Sequence, residues 1–202
     1  MSPIETLKKL FASFPGIGKR QAERFVHFLL RQDDAFLTEL ADTLRGLRES
    51  IGSCARCARF VPKGDLRESR CSICADPSRE GKRLLVVASD VDLDNIERSG
   101  GYRGYYFVLG GTVPILEKEP EERIRLSELL EVLGASKPEE IIMALATNPE
   151  GENTREYLAG KLKPLQKKLG FSVTTLGRGL STGAELEYSD PDTIKSALAN
   201  RS

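Results

Sequence analysis

Apolar residues recur along this chain with two different spacings, and the change of spacing divides it. From residue 4 to 14, Ile4, Leu7, Leu10, Phe11 and Phe14 fall three or four apart, as on one face of a helix. Ala22, Phe25, Val26 and Leu29 set up a second such face. Phe36, Leu37, Leu40, Leu44 and Leu47 predict a third helix over 33–50, with those five as its buried stripe. Beyond Arg83 the pattern turns into runs at 84–88, 105–109, 140–146 and 172–176. Runs of strand length that are apolar on both faces predict parallel strands buried between helices. Helical stretches fall between them, over 92–98, 121–133 and 152–169. The alternation predicts an α/β main domain, a mostly parallel sheet sandwiched by helices. Ligands in such sheets gather at the carboxyl ends of the strands, here 89–94, 110–112 and 147–152.

The first two helices are joined by Phe14-Pro15-Gly16-Ile17-Gly18-Lys19. Proline and two glycines break the first helix, and Ile17 between Gly16 and Gly18 pins the turn. Glycine here lets backbone amides at the start of the next helix come close to a phosphate. This is the pattern of a helix-hairpin-helix, which grips the DNA backbone without reading sequence. Arg20 and Arg24 share one face of the second helix, with Lys19 beside them. The plainer alternative is an ordinary turn between helices followed by a solvated basic face. His27 is the only histidine and has no partner for metal or acid–base chemistry.

All four cysteines come as two matched pairs, Cys54-Ala-Arg-Cys57 and Cys71-Ser-Ile-Cys74. Two Cys-x2-Cys pairs on folded-back arms suit one tetrahedral Zn2+ per chain, and four thiolates leave no open position, so the metal is structural. A pair of disulfides would suit a secreted chain, but residues 1–10 do not resemble a signal peptide. Two pairs flanked by arginines fit a redox dithiol poorly.

The 202 residues are 40% hydrophobic, enough for one sizeable domain with smaller modules. No apolar run approaches the roughly twenty residues that span a bilayer, so no membrane partner is expected. Net charge is zero, with 30 basic against 30 acidic residues, yet its distribution is uneven. Residues 1–83 hold 16 basic and 11 acidic side chains, and residues 84–202 hold 14 and 19. Around the cysteines, Arg45, Arg48, Arg56, Arg59, Lys63, Arg67 and Arg70 stand against few acids. That excess leaves two readings, an extended DNA-facing surface or charge that keeps a small module soluble.

Phe-Pro-Gly-Ile-Gly, the four cysteines, Tyr106-Phe-Val-Leu-Gly-Gly111, Ala146-Thr-Asn-Pro149 and Gly177-Arg-Gly-Leu-Ser-Thr-Gly-Ala-Glu-Leu-Glu-Tyr188 follow one another. This order resembles the RecR family of bacterial recombination mediators over nearly the whole chain. The resemblance implies a helix-hairpin-helix over 1–52, a four-cysteine zinc finger over 53–78, a Toprim-like domain over 79–171 and a Walker-B-like segment over 172–202. It further implies a ring-like homo-oligomer, dimer or tetramer, that encircles single-stranded, duplex or gapped DNA and acts with RecO and RecF to promote RecA loading. Location follows as cytoplasmic and nucleoid-associated. Arg20 and Arg24 match the family's DNA-contact positions, and the C-terminal segment, with Gly179, Gly183 and Glu185, joins subunits. Glu185 and Glu187 alternate with Leu186 and Tyr188 as in a strand.

Toprim enzymes place a glutamate after the first strand and an Asp-x-Asp after a later one, to hold magnesium for phosphoryl transfer. This chain has Ala88 at the first place, where RecR relatives usually keep glutamate, and Thr147-Asn148-Pro149 at the second. No catalytic centre is expected. Asp92, Glu150 and Glu152 are assigned instead to an acidic surface where a protein partner docks. No Gly-x4-Gly-Lys-Ser/Thr exists to cradle a nucleoside triphosphate. The competing classes are a Toprim phosphoryl-transfer enzyme and a zinc-stabilised scaffold that binds only proteins.

Overall fold

A computed structural model describes residues 2–200 except Arg178, Ser181, Thr182 and Ala184, so those four positions of the C-terminal motif lie outside the described residues. The chain forms two compact units, Met1–Ile51 and Gly52–Ser202.

In the first unit, α1 (Pro3–Ala12) starts at Ser2, whose hydroxyl accepts the Glu5 N–H, with Pro3 in the first turn. Its partner is α2 (Lys19–Leu29). Phe11 sits edge-on to Phe14 and Phe25, with ring centroids 5.8 and 5.5 Å away. Lys8 Nζ reaches Glu23 at 2.7 Å. Ala22 and Val26 are fully buried, so the predicted face of α2 is the one that packs. The third helix, α3 (Asp34–Ser50), starts at Asp33, which accepts the Phe36 N–H at 2.8 Å. Its stripe departs from the expectation. No residue of α3 is buried, and Leu44 and Leu47 are 62% and 51% exposed. The helix forms because its cap and spacing are right. Phe36 sits edge-on to Phe28 of α2 with ring centroids 5.9 Å apart, while Leu44 and Leu47 further along the stripe stay exposed because α1 and α2 turn much of their apolar faces toward each other.

The second unit opens with β1 (Ile51–Ser53) and β2 (Phe60–Pro62), a two-stranded sheet, and α4 (Ser72–Ala75). Next come β3 (Arg83–Val87), α5 (Asp90–Ser99), β4 (Tyr105–Val108), α6 (Leu126–Ser136), β5 (Glu140–Ala144), α7 (Pro149–Leu169) and β6 (Ser172–Thr175). These four strands form a parallel sheet in the order β4-β3-β5-β6. Leu84 to Val87 and Tyr105 to Val108 are buried at every position, which needs cover on both faces. Helices in the connections supply it: the chain steps one way from β3 and the other way from β5, and the right-handed rule for such crossovers assigns α5 and α7 to opposite faces. The reversal between β3 and β5 is the switch point of the sheet.

Element starts moved where a cap outweighed periodicity. Ser89 and Asp92 form a reciprocal capping box that begins α5 at Asp90. Asn148 caps α7 with Pro149 in its first turn, three residues earlier than the apolar pattern indicated. Pro120–Glu122 makes a short 3-10 turn, and α6 begins only at Leu126. The strand expected over 185–188 is instead a 3-10 turn, Leu186–Tyr188. Asp190 then caps α8 (Pro191–Ala199), a helix the apolar pattern did not announce.

Candidate metal centre and nucleic-acid interface

Both cysteine pairs are set by tight turns. After β1, the Cys54 N–H donates to Arg59 O at 2.9 Å and the Ala58 N–H returns to Cys54 O at 2.9 Å, with Ala58 held at φ +60°. The second pair follows a hairpin closed by reciprocal bonds between Arg67 and Arg70, 2.8 and 2.9 Å, with Glu68 and Ser69 both at positive φ. The Ala55 N–H donates to Ser69 O at 2.8 Å and ties the two turns together. Cys71 caps α4, and Cys74 lies on it.

The four Sγ atoms lie within 4.8 Å of one another, and all four residues are buried. Cys57 and Cys71 sulfurs are 3.7 Å apart. A tetrahedral ion with bonds of about 2.3 Å spaces its sulfurs by about 3.8 Å, whereas a disulfide needs about 2.05 Å. All four thiols are free. The Cys71 N–H donates to Cys54 Sγ at 3.3 Å. Hydrogen bonds from its neighbours, Cys57 first, hold the Cys54 thiol well below the ordinary range, while those from Cys54 push Cys57 and Cys74 up. Such crowded sulfurs cannot all ionise unless a cation offsets their repulsion. The donor set therefore fits a closed, tetrahedral metal site.

This module is fastened to the parallel sheet by groups that sequence reasoning gave other roles or none. Arg59 pairs with Asp94 at 2.7 Å, and the Phe60 N–H donates to Asp90 Oδ1 at 2.9 Å. The Val108 N–H donates to Cys57 O at 2.8 Å. Arg125 donates to Ala58 O at 2.6 Å and lies 4.9 Å over the Phe60 ring. No spacing in the sequence marks Arg125; Gly110, at φ +85°, leaves the space beside its guanidinium.

At the switch point, the turns after β3 and β5 bring Asp92, Glu150 and Glu152 to one end of the sheet. Asp92 accepts from the Ser89 N–H and hydroxyl at 3.0 and 2.7 Å. Glu150 accepts the Thr112 hydroxyl at 3.1 Å, and Glu152 pairs with Arg155. Asn148 accepts the Gly151 N–H at 2.8 Å and so caps α7. Among the described residues, the cysteines are the one group of three or more His, Cys, Asp or Glu close enough to hold a metal ion.

In the first unit, Phe14-Pro15-Gly16-Ile17 forms a turn closed by the Ile17 N–H to Phe14 O at 3.1 Å, with Gly16 at φ +75°. Gly18 differs. It caps α2 at φ −80° and ψ 167°, a conformation open to any residue, and a Cβ there would meet no atom within 4 Å. The fold does not require glycine at 18, whereas the approach of an outside group would. Inside α2 the first carbonyl bond is made by the Ala22 N–H to Gly18 O, so the earlier amides face outward. Lys19, Arg20 and Arg24 are exposed around them. Arg24 touches Gln21 at 3.3 Å, and none of the three basic side chains forms an ion pair among the described residues.

In the C-terminal segment Gly183 takes φ +82°, and Gly179 lines a 470 Å³ cavity with Thr147, Gly177 and Asp190. Leu176, Leu186, Tyr188 and Leu198 are 48%, 63%, 80% and 59% exposed, and Glu185 precedes the short turn. Among the described residues, no helix is long and apolar enough to cross a membrane.

Residues 82–176 match the Toprim domain family and residues 179–202 the family described as RecR, C-terminal. The chain is 42% identical to the recombination protein RecR of Roseiflexus sp. (strain RS-1), over 98% of this chain and 90% of that one. It is 38% identical to that of Chloroflexus aurantiacus (strain ATCC 29366 / DSM 635 / J-10-fl), over 99% and 94%, and 37% identical to that of Gloeobacter violaceus, over 98% and 96%.

Proposed function

The chain belongs to the RecR family of recombination proteins, and we propose that it is a non-catalytic, DNA-binding mediator of recombinational repair. The observation that carries this reading is the hairpin: a glycine at 18 that the fold does not need, outward amides at the start of α2, and Lys19, Arg20 and Arg24 around them. Together these suit a DNA phosphate and carry no means of reading bases. Binding is sequence-independent and extends to single-stranded, duplex and gapped DNA.

Absence of catalysis is supported by Ala88 and by Thr147-Asn148-Pro149, which stand where Toprim enzymes place the glutamate and the Asp-x-Asp that hold magnesium for phosphoryl transfer. The cysteine cluster holds one structural Zn2+, chosen over other ions because four thiolates at tetrahedral spacing favour it. That ion would be held by Cys54, Cys57, Cys71 and Cys74 and would lock the two turns together.

The uncovered stripe of α3 and the exposed apolar residues of the C-terminal segment support a homo-oligomer, a ring that closes on DNA, with Gly179, Gly183 and Glu185 near one joint. RecO and RecF are the partners through which RecA is loaded, and Asp92, Glu150 and Glu152 mark the sheet end where such a partner docks. The protein works in the cytoplasm at the nucleoid. Binding of the purified protein to labelled single-stranded, duplex and gapped DNA in a salt series tests the reading. Salt-sensitive binding without turnover in magnesium is expected; no binding at low salt overturns it.

A further inference from the structure

A second place in the molecule is built for a phosphate, and it lies in the other compact unit. Between the cysteine module and α6 is a 380 Å³ cleft lined by Ala55, Arg56, Arg70, Val132, Ala135 and Ser136. The bond from the Ala55 N–H to Ser69 O, 2.8 Å, sets Arg56 and Arg70 side by side. Arg56 lies flat over Tyr105, its guanidinium carbon 3.4 Å from the ring centroid. That stacking fixes the plane of the guanidinium and lowers the ordering cost of using it.

Other arginines of this unit have visible structural work. Arg59 holds Asp94, Arg79 holds Glu97, Arg83 holds Glu80 and Arg125 holds backbone carbonyls. Arg67 lines a different cavity together with Asp65 and Asp76. Arg56 and Arg70 meet no carboxylate among the described residues, and α6 lines the cleft with the apolar Val132 and Ala135 beside Ser136. Two cations left without anions beside an apolar wall suit a chain of alternating phosphate and sugar or base.

Resting on the DNA-binding reading above, we propose that this cleft takes a segment of single-stranded nucleic acid. Its phosphate lies between Arg56 and Arg70 and its sugar or base against Val132 and Ala135. The hairpin and the cleft are then separate phosphate contacts of one chain.

The test uses the full chain and fluorescein-labelled oligothymidylate across a salt series, with metal content and melting temperature recorded for each variant. Arg70→Gln is the primary variant because Arg70 is exposed and holds nothing by its side chain; Arg56→Gln/Arg70→Gln follows. Arg70→Gln is expected to weaken binding about three- to tenfold and to make the slope of log K against log salt shallower by about 0.7, as for one lost phosphate contact on a single strand. If Arg70→Gln keeps wild-type affinity and slope while Arg20→Glu/Arg24→Glu loses binding, the cleft proposal fails and the hairpin reading stands. If the wild-type chain binds no oligothymidylate, the cleft proposal fails; if it also binds no duplex or gapped DNA at low salt, the hairpin reading fails with it. If Arg70→Gln leaves DNA binding intact but abolishes binding of a labelled oligoglutamate, the cleft takes an acidic peptide, and the nucleic-acid assignment is overturned.

Discussion

Arg59 Nη2 lies 2.7 Å from Asp94 Oδ1, and this pair joins the cysteine module to the first turns of α5. Asp94 lies in the stretch after β3, at an end of the sheet where ligands gather in such folds, yet it is committed to holding the chain's own small module. Only 16% of the Arg59 side chain is exposed, against 49% for Asp94, so solvent screens the pair from one side. Its contribution is accordingly about 1 kcal/mol. Asp94→Asn should lower the melting temperature by about 2–4 °C with metal content unchanged. A melt that matches wild type would mean the other bonds hold the module without it.

Zinc content is the next expectation. The module's strands are three residues each, and Ala58, Glu68 and Ser69 hold positive φ, which side-chain-bearing residues adopt only when their surroundings force it. Metal analysis should find about one zinc per chain. Cys57→Ser should lose most of it and unfold the module, seen as faster proteolysis across 54–74. Full retention of zinc by Cys57→Ser would contradict a four-thiolate site.

Two glycines should behave oppositely. A Cβ on Gly151 would sit 2.0 Å from Ala146 O, so Gly151→Ala must push α7 away from the end of β5. The cost is about 3 kcal/mol, read by denaturant unfolding. Gly18→Ser meets no atom and supplies a favoured cap, so stability should hold while DNA affinity falls. Equal affinity for Gly18→Ser would remove the argument from close approach.

Glu97 should shape the acid limb of stability. Burial pushes its carboxyl up, but hydrogen bonds from Arg79 and then Tyr106 outweigh that and leave it below the ordinary glutamate value. A carboxyl depressed in the folded state adds stability above its unfolded pKa of about 4.3, and this is lost as pH falls through the lower folded value. Melting temperature of wild type should therefore drop below about pH 4.3 more steeply than that of Glu97→Gln. Parallel curves would mean that Glu97 does not change its proton affinity on folding.

The sheet was legible because β3 from Leu84 to Val87 and all of β4 are continuous buried apolar runs, a pattern that few other structures use. The cysteine cluster was legible from spacing alone. What stayed hidden depended on partners far along the chain. Arg125 looks like any surface arginine until Ala58 and Phe60 come to it, and Asp90 and Asp94 are two acids of the 89–94 stretch with no sign in the sequence that Phe60 and Arg59 use them. The stripe of α3 misled in the opposite direction, since periodicity states that a face needs cover and not whether its own chain supplies it. Starts of α5 and α7 are set by Ser89 with Asp92 and by Asn148-Pro149, polar caps that apolar spacing does not mark.

The most direct test of the account is DNA binding by Arg20→Glu/Arg24→Glu beside wild type, followed by fluorescence anisotropy at several salt concentrations, with zinc content and mass in solution measured on the same samples. Wild type should bind as an oligomer with strongly salt-dependent affinity. The double variant should keep zinc, fold and mass and lose at least about tenfold in affinity. A double variant that binds as well as wild type, with the same salt slope, would contradict the assignment of the hairpin as the DNA contact.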